Sequence, residues 1–383
     1  MLKMVDGTGI IGVDMVCPLG GAVSPPQPPN YDKVEVEGVG NLMLPNSLKA
    51  PLERLELIGN STQGENPAPD NPQEIKSAGK WNEGTQKYEI DVKVTGKNLI
   101  KTSPILSKRW SNNIDNHVIE YITLKPHTTY TLAMEEDTKY VNDLRVRIFS
   151  KNDMTRWLAE ILGASENKKK FTTKDDVECV LCVYHLLDYK GDVKQLQLVE
   201  GDISTPYEPY TEQSMQIALN EPLRGIGEYK DTITKDGIVR KIKRIVLDGS
   251  ENWVIHKEKE TTVSFWTNSF KFLFPTHNTM LVDKFAYVIS GMNKEDVSWS
   301  VYGSNFFINI NKDIASNLES FKIWLSKNTV TVEYIAIEPT TEPLPESVQQ
   351  QLQALHSENG TTHVFVDSGE VETGIKLTYR KEK

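Results

Sequence analysis

Two tryptophans in polar loops are the residues best placed for recognition chemistry. Trp110 lies within Ser107-Lys-Arg-Trp-Ser-Asn-Asn-Ile-Asp115, next to Asn112 and Asn113, and Trp81 lies within Gly79-Lys-Trp-Asn-Glu-Gly84. An indole offers a broad apolar face that can stack on the C–H side of a sugar ring, and neighbouring amides can bond its hydroxyls. Trp110, Asn112, Asn113 and Trp81 are therefore the candidate ligand-binding residues. The competing reading of a loop tryptophan is packing against another domain or subunit.

Catalytic patterns are missing. The chain has no Gly-x-Ser-x-Gly elbow, no His-Glu-x-x-His and no phosphate loop. Its seven histidines are scattered without metal-ligand spacing. Glu135-Glu136-Asp137 and Asp175-Asp176 read as solvated loops. A glycosidase needs two carboxylates ~5–10 Å apart across a cleft, a separation that sequence does not show. No catalytic residue, metal or cofactor is expected, and the chain reads as a non-enzyme.

Cys179-x-x-Cys182 has zinc-ribbon spacing but no second pair. Residues i and i+3 of a strand point to opposite faces, so these sulfurs do not converge and read as buried structural thiols. Arg240-Lys-Ile-Lys-Arg244 could grip an anionic wall polymer, but a solvated, edge-protecting strand face is the simpler reading. Trp266, Phe270, Phe272 and Phe274 share a face on a straight strand and suit a sandwich core. Asn60-Ser-Thr and Asn359-Gly-Thr match the glycosylation pattern and read as unmodified turns.

The elements that must position these residues are mostly strands. Of 383 residues, 38% are hydrophobic and 25% charged, which excludes a mainly disordered chain. The length suits two or three domains of ~150 residues. A net charge of −10 argues against nucleic acid as a partner. No apolar run reaches the ~18 residues of a membrane span. Asp6 and Asp14 interrupt any signal-like stretch, so no signal peptide is expected. Three cysteines rule out a disulfide framework and fit a reducing cytosol.

Residues 1–23 are Gly-rich and apolar without a helical stripe, and Ser24-Pro-Pro-Gln-Pro-Pro-Asn30 is a stiff spacer. Residues 1–30 therefore read as an N-terminal attachment arm. Residues 31–84 form a strap of short strands and Pro-rich loops. Tyr88, Ile90, Val92 and Val94 alternate with Glu89, Asp91, Lys93 and Thr95, and similar strands continue to residue 212. One helix is predicted at 154–162, with Trp157 packed on it. Residues 213–338 read as a second β-sandwich with a hairpin turning at Lys235-Asp236-Gly237, a strand at 270–274 and a helix at 313–326. Residues 339–383 read as a helix–strand cap. The predicted fold is all-β: two antiparallel, jelly-roll-like sandwiches in tandem with a few short helices.

The segment Gln197-Leu-Val-Glu-Gly-Asp-Ile-Ser-Thr-Pro-Tyr-Glu-Pro-Tyr210 resembles the closing signature of carbohydrate-binding-module-like jelly rolls in tail proteins of Firmicutes phages and prophages. Gly96-Lys-Asn-Leu99 and Leu124-Lys-Pro-His-Thr-Thr-Tyr-Thr-Leu132 resemble the start and interior of the same module, residues 85–212. Gly59-Asn-Ser-Thr-Gln-Gly64 and Pro67-Ala-Pro-Asp-Asn-Pro72 look like the preceding strap. Leu223-Arg-Gly-Ile-Gly-Glu-Tyr-Lys-Asp231 and Ile245-Val-Leu-Asp-Gly-Ser-Glu-Asn-Trp253 look like the second domain. The likeness runs over residues ~50–380 and leaves residues 1–30 unmatched.

The resemblance implies a tail-tip, baseplate or tail-fibre protein of the virion, made in the host bacterial cytoplasm, that helps recognise a host cell-surface glycan. It implies a homotrimer held to other tail or baseplate proteins through residues 1–30, without membrane insertion. Two alternatives stand beside it. One is a purely architectural baseplate adaptor or decoration protein without ligand, and the other is a wall-polysaccharide depolymerase.

Overall fold

A computed structural model describes residues 5–6, 9–10, 30–103, 105–134, 144–162, 166–175, 178–186, 192–201, 206–273, 279–288 and 297–383. The attachment arm falls outside these residues, apart from Val5–Asp6 paired with Gly9–Ile10. Cys17, Glu135-Glu136-Asp137, Asp176 and Phe274 also lie outside them. The fold is all-β, with large antiparallel sheets and two short α-helices among the described residues.

Alternation builds the central strand. In Lys87–Thr95, Ile90, Val92 and Val94 are fully buried while Asp91 and Lys93 face outward. This strand pairs with Glu212–Leu219 on one side and Gly360–Asp367 on the other. The twelve-stranded sheet continues through Asn41–Ser47, Gly374–Glu382, Glu53–Ile58, Thr232–Thr234, Gly237–Leu247 and Val330–Glu342 to Met280–Val282. Segments read separately as strap and cap thus share one sheet. Tyr31–Val39 runs along Gly374–Glu382 with Tyr31 opposite Glu382 and Val39 opposite Gly374. Leu44, Leu57, Ile90, Ile217, Ile233 and Leu377 belong to one core beneath them.

The first sandwich is set into a hairpin of this sheet. Thr95, where the chain leaves, is the direct partner of Glu212, where it returns. Residues 96–211 have their own core, which joins Tyr130, Leu132 and Leu198 of a three-stranded sheet to Val146, Ile148 and Leu181 of a five-stranded one. Two sheets closed over such a core make a sandwich. The third core lies further along. There Phe265, Phe306 and Ile308 pack on Leu247 and Val332 at the far end of the long sheet. Helix Leu318–Lys327 completes it, with Phe321 stacked on Phe265 at 4.1 Å. The two sandwich regions are therefore threaded through one sheet rather than strung along the chain.

Three local expectations are corrected. Residues 154–162 are not a helix but most of the strand Asp153–Leu162, hydrogen-bonded to Leu144–Ser150. Ala159 and Ile161 supply its inward face, and cross-strand pairing outweighs local helix preference. Residues 270–273 form no strand, yet Phe270 and Phe272 are both buried in the third core. The helix predicted from residue 313 starts at Leu318, where Asn317 and Ser320 form a capping box.

Arg240 also departs from the solvated reading. It is buried and paired with Asp231 at 3.2 Å, whereas Lys243 and Arg244 of the same run are exposed. No helix among the described residues is long and apolar enough to cross a membrane.

Candidate functional site

The outer face of the inserted module's five-stranded sheet gathers aromatic and cationic groups. In Glu178–His185, Cys179, Leu181 and Val183 point into the module core. Val180 and Cys182 point the other way and pack with Phe149. The two cysteines form no disulfide and are buried on opposite faces, and burial pushes the Cys182 thiol up to about 12. Tyr184 continues the outward row and is itself almost fully buried.

What covers Tyr184 is the candidate site. Trp110 stacks on His117 at 5.0 Å with an 11° interplanar angle and lies 5.0 Å from the Tyr184 ring. His117 and Tyr184 are 4.8 Å apart. On the other side, the Arg147 guanidinium lies 3.8 Å over the Trp157 ring and 5.5 Å from Tyr184. Arg147 Nε donates to Glu160 Oε1 at 2.6 Å, which fixes the plane of the guanidinium. The result is a strip running Trp110, Tyr184, Arg147, Trp157. Its two end tryptophans are 42% and 47% exposed.

The loop behind Trp110 is held by its own polar groups. Ser111 N–H donates to His117 Nε2 at 3.0 Å, and Asn116 Nδ2 donates to Ser111 Oγ at 3.1 Å. Burial lowers the His117 pKa, so the ring is neutral at pH 7. Asn113 Oδ1 accepts from Asp115 N–H and caps the 3-10 turn Ile114–His117. Its side chain thus positions the loop, while Asn112 is exposed beside Trp110.

Trp81 does not join this group. It sits on Lys80–Asn82 in the long sheet, tilted over Tyr88 at 5.0 Å and 45% exposed. Tyr88 and Thr95 are the two ends of a stretch of about 23 Å along the strand, and the module departs only after Thr95.

Sequence reasoning missed Tyr184, Arg147, Glu160 and Trp157. The signal was partly present: alternation in Leu144–Ser150 and Glu178–His185 places Arg147 and Tyr184 on the face opposite the core. The helix assigned to 154–162 hid the contribution of Trp157.

Among the described residues, no group of three or more His, Cys, Asp or Glu side chains is arranged to hold a metal ion. No protein-family model matches the chain. No curated protein matches it either. Among solved structures, the "Structure of infectious bursal disease virus Gx strain" is aligned over 95% of this chain and 84% of that one, at 9% identity and a TM-score of 0.10. A TM-score that low carries no argument about fold or function.

Proposed function

We propose that this chain is a virion component of a phage tail tip, baseplate or tail fibre that helps adsorb the particle to a host cell-surface glycan. The observation that carries this reading is the strip of Trp110, Tyr184, Arg147 and Trp157. Two half-exposed indoles flank a buried ring and a locked guanidinium on the open face of a sheet whose other face already holds the core. Leaving that much aromatic area in water is unfavourable, at about 25 cal/mol per Å², and marks a contact surface.

Glu160 is shared between Arg147 and Arg145, and the exposed indole faces suit the C–H surface of a polyhydroxylated chain. Single contacts of this kind are weak. Several copies on one particle, a homotrimer in this reading, convert them into avidity. Residues 1–30 would hold the protein to its tail neighbours. The reading involves no bond cleavage.

The test is adsorption and glycan-array binding by the full chain and by W110A/W157A. A loss of about tenfold or more, roughly 1.4 kcal/mol, is expected in the variant. Unchanged binding would sink the strip as the recognition surface. No binding by either chain would favour the architectural adaptor, and release of reducing sugar would favour the depolymerase.

A further inference from the structure

The inserted module overhangs the outer face of the long sheet, and between them lies a cleft of about 980 Å³. Its floor follows from strand register. Lys93 and Phe365 are cross-strand partners, and Lys93 Nζ lies 5.2 Å over the Phe365 ring. Ser214 and Gln216 extend the floor on the other side of Lys87–Thr95. The module supplies the wall, with Tyr121 (60% exposed) and Tyr210. Three aromatic rings from three separate elements therefore border one concavity at a boundary between cores.

Most charges lining the cleft are ion-paired, some of them with residues outside it. Lys101 pairs with Glu212 at 3.4 Å, Lys125 with Glu200 at 3.0 Å, and Lys80 holds Asp367 at 2.8 Å. Glu120 also lines the cleft without an ion pair, but its carboxylate accepts from the backbone N–H groups of Lys101 and Thr102, which leaves Lys93 and Glu372 as the unpaired lining charges among the described residues. One can only donate hydrogen bonds and the other, ionised, can only accept them. A ligand group that satisfies both is a hydroxyl, which donates and accepts. Rings beside hydroxyl-matching groups describe a saccharide. The lining holds five carboxylates against three lysines, which disfavours an anionic one.

We infer that this cleft is a second binding site, for a neutral saccharide, with Phe365, Tyr121 and Tyr210 as ring contacts and Lys93 and Glu372 as hydroxyl partners. The inference rests on the glycan-binding reading given above but on different residues. A saccharide bound here touches the module and the long sheet at once, unlike one on the Trp110–Trp157 strip.

The two sites are separable because no tryptophan lines the cleft. The full chain is titrated with cellotetraose, maltotetraose, tetra-N-acetylchitotetraose and, as the acidic control, tetragalacturonic acid. Tryptophan fluorescence reports the strip, and calorimetry reports both sites. In W110A/W157A the fluorescence response should vanish while weak calorimetric binding of a neutral tetramer persists. Adding Y121A, or K93M with E372Q, to that background should weaken the residual binding about tenfold or more. Both sets change exposed side chains, and unaltered circular dichroism excludes misfolding.

The cleft proposal is overturned if W110A/W157A abolishes all binding, or if the residual binding ignores the cleft variants. Tighter binding of tetragalacturonic acid overturns its ligand class. Absence of any binding by the unmodified chain overturns both sites. Loss of the cleft signal alone leaves the strip standing.

Discussion

The Asp231 carboxylate plugs a bulge in the strand that carries Arg240. Its Oδ2 lies 3.2 Å from Arg240 Nη1, and its Oδ1 accepts from the N–H groups of Lys241 and Ile242 at 2.7 and 3.0 Å. The register of Gly237–Leu247 against Val330–Glu342 shifts between Arg240 and Ile242, so the acid satisfies backbone donors that the ladder leaves over. This strand pair spans two cores, with Ile238 in one and Leu247 in the other.

Asp231→Ala removes one of the acceptors of buried Arg240 and the shared acceptor of three backbone N–H groups, those of Arg224, Lys241 and Ile242. It should destabilise the chain by about 3–5 kcal/mol, read as a fall in the denaturant midpoint. Asp231→Asn keeps one acceptor oxygen and should cost less. Equal midpoints for Asp231→Ala and the unmodified chain would show that the bulge needs no plug.

The module should be removable. Thr95 and Glu212 are already cross-strand partners, about 4.8 Å apart in the hydrogen-bonding direction, so a two-residue Asn-Gly turn can replace residues 96–211. The shortened chain should keep its strand-rich circular dichroism and a cooperative unfolding transition. It should lose binding that depends on Trp110 and Trp157. Collapse to an unfolded or aggregated chain would mean that the long sheet depends on the module.

Acid should loosen the seam between module and sheet. His363 is buried on the sheet's outer face, with Glu200 of the module 3.8 Å from Nδ1, and Lys125 bound to the same carboxylate. Burial, and secondarily Lys125, lowers its pKa from 6.5 to about 4. The unfolded chain takes up a proton near 6.5 and the folded one only near 4. Stability from this site is complete above the first value and declines as pH falls toward the second, by about 3 kcal/mol in all. NMR titration should find the His363 ring neutral at pH 5.5, and His363→Phe should flatten the decline. A ring that titrates near 6.5 in the folded chain contradicts this.

Cys179 and Cys182 should resist alkylation. Both are fully buried, and the Cys182 thiol is held protonated at ordinary pH. Iodoacetamide at pH 8 followed by peptide mass spectrometry should leave both unlabelled until denaturant is added. Prompt labelling of Cys182 in the native chain would place it at an accessible surface.

Arg147→Lys should weaken glycan binding although charge is kept. The flat guanidinium bridges Trp157 and Tyr184, and an ammonium cannot stack in that way. A loss of about threefold to tenfold, or 0.5–1.5 kcal/mol, is expected in binding titrations. Full retention would reduce Arg147 to a structural partner of Glu160.

The strand content and the inward faces were legible because alternation is a local property. Ile90, Val92 and Val94 announce their burial within five residues, and the i,i+3 spacing of Cys179 and Cys182 sends them to opposite faces. Threading was not legible. Nothing near Thr95 encodes that Glu212 is its partner, and nothing near Tyr31 encodes Glu382, because pairing across such distances is decided by the assembled sheet.

At the site, Trp110 was found because a tryptophan among amides stands out. Trp157 was misplaced because Trp157/Ile161 and Leu158/Leu162 fit a helical face, and a ten-residue segment is too short for the two periods to separate. Asn113 also caps the turn Ile114–His117, a role that sequence alone does not distinguish from display.

The strand Gly360–Asp367 lies between Lys87–Thr95 and Asn41–Ser47, two segments translated some three hundred residues before it. During synthesis those earlier strands wait with an unfilled slot, and their apolar faces stay bare until residues 360–367 emerge from the ribosome. Residues 96–211 draw all their core contacts from within themselves, so they can finish while the rest is still being made. A premature stop before residue 360 would then release a finished lobe on an open, aggregation-prone sheet.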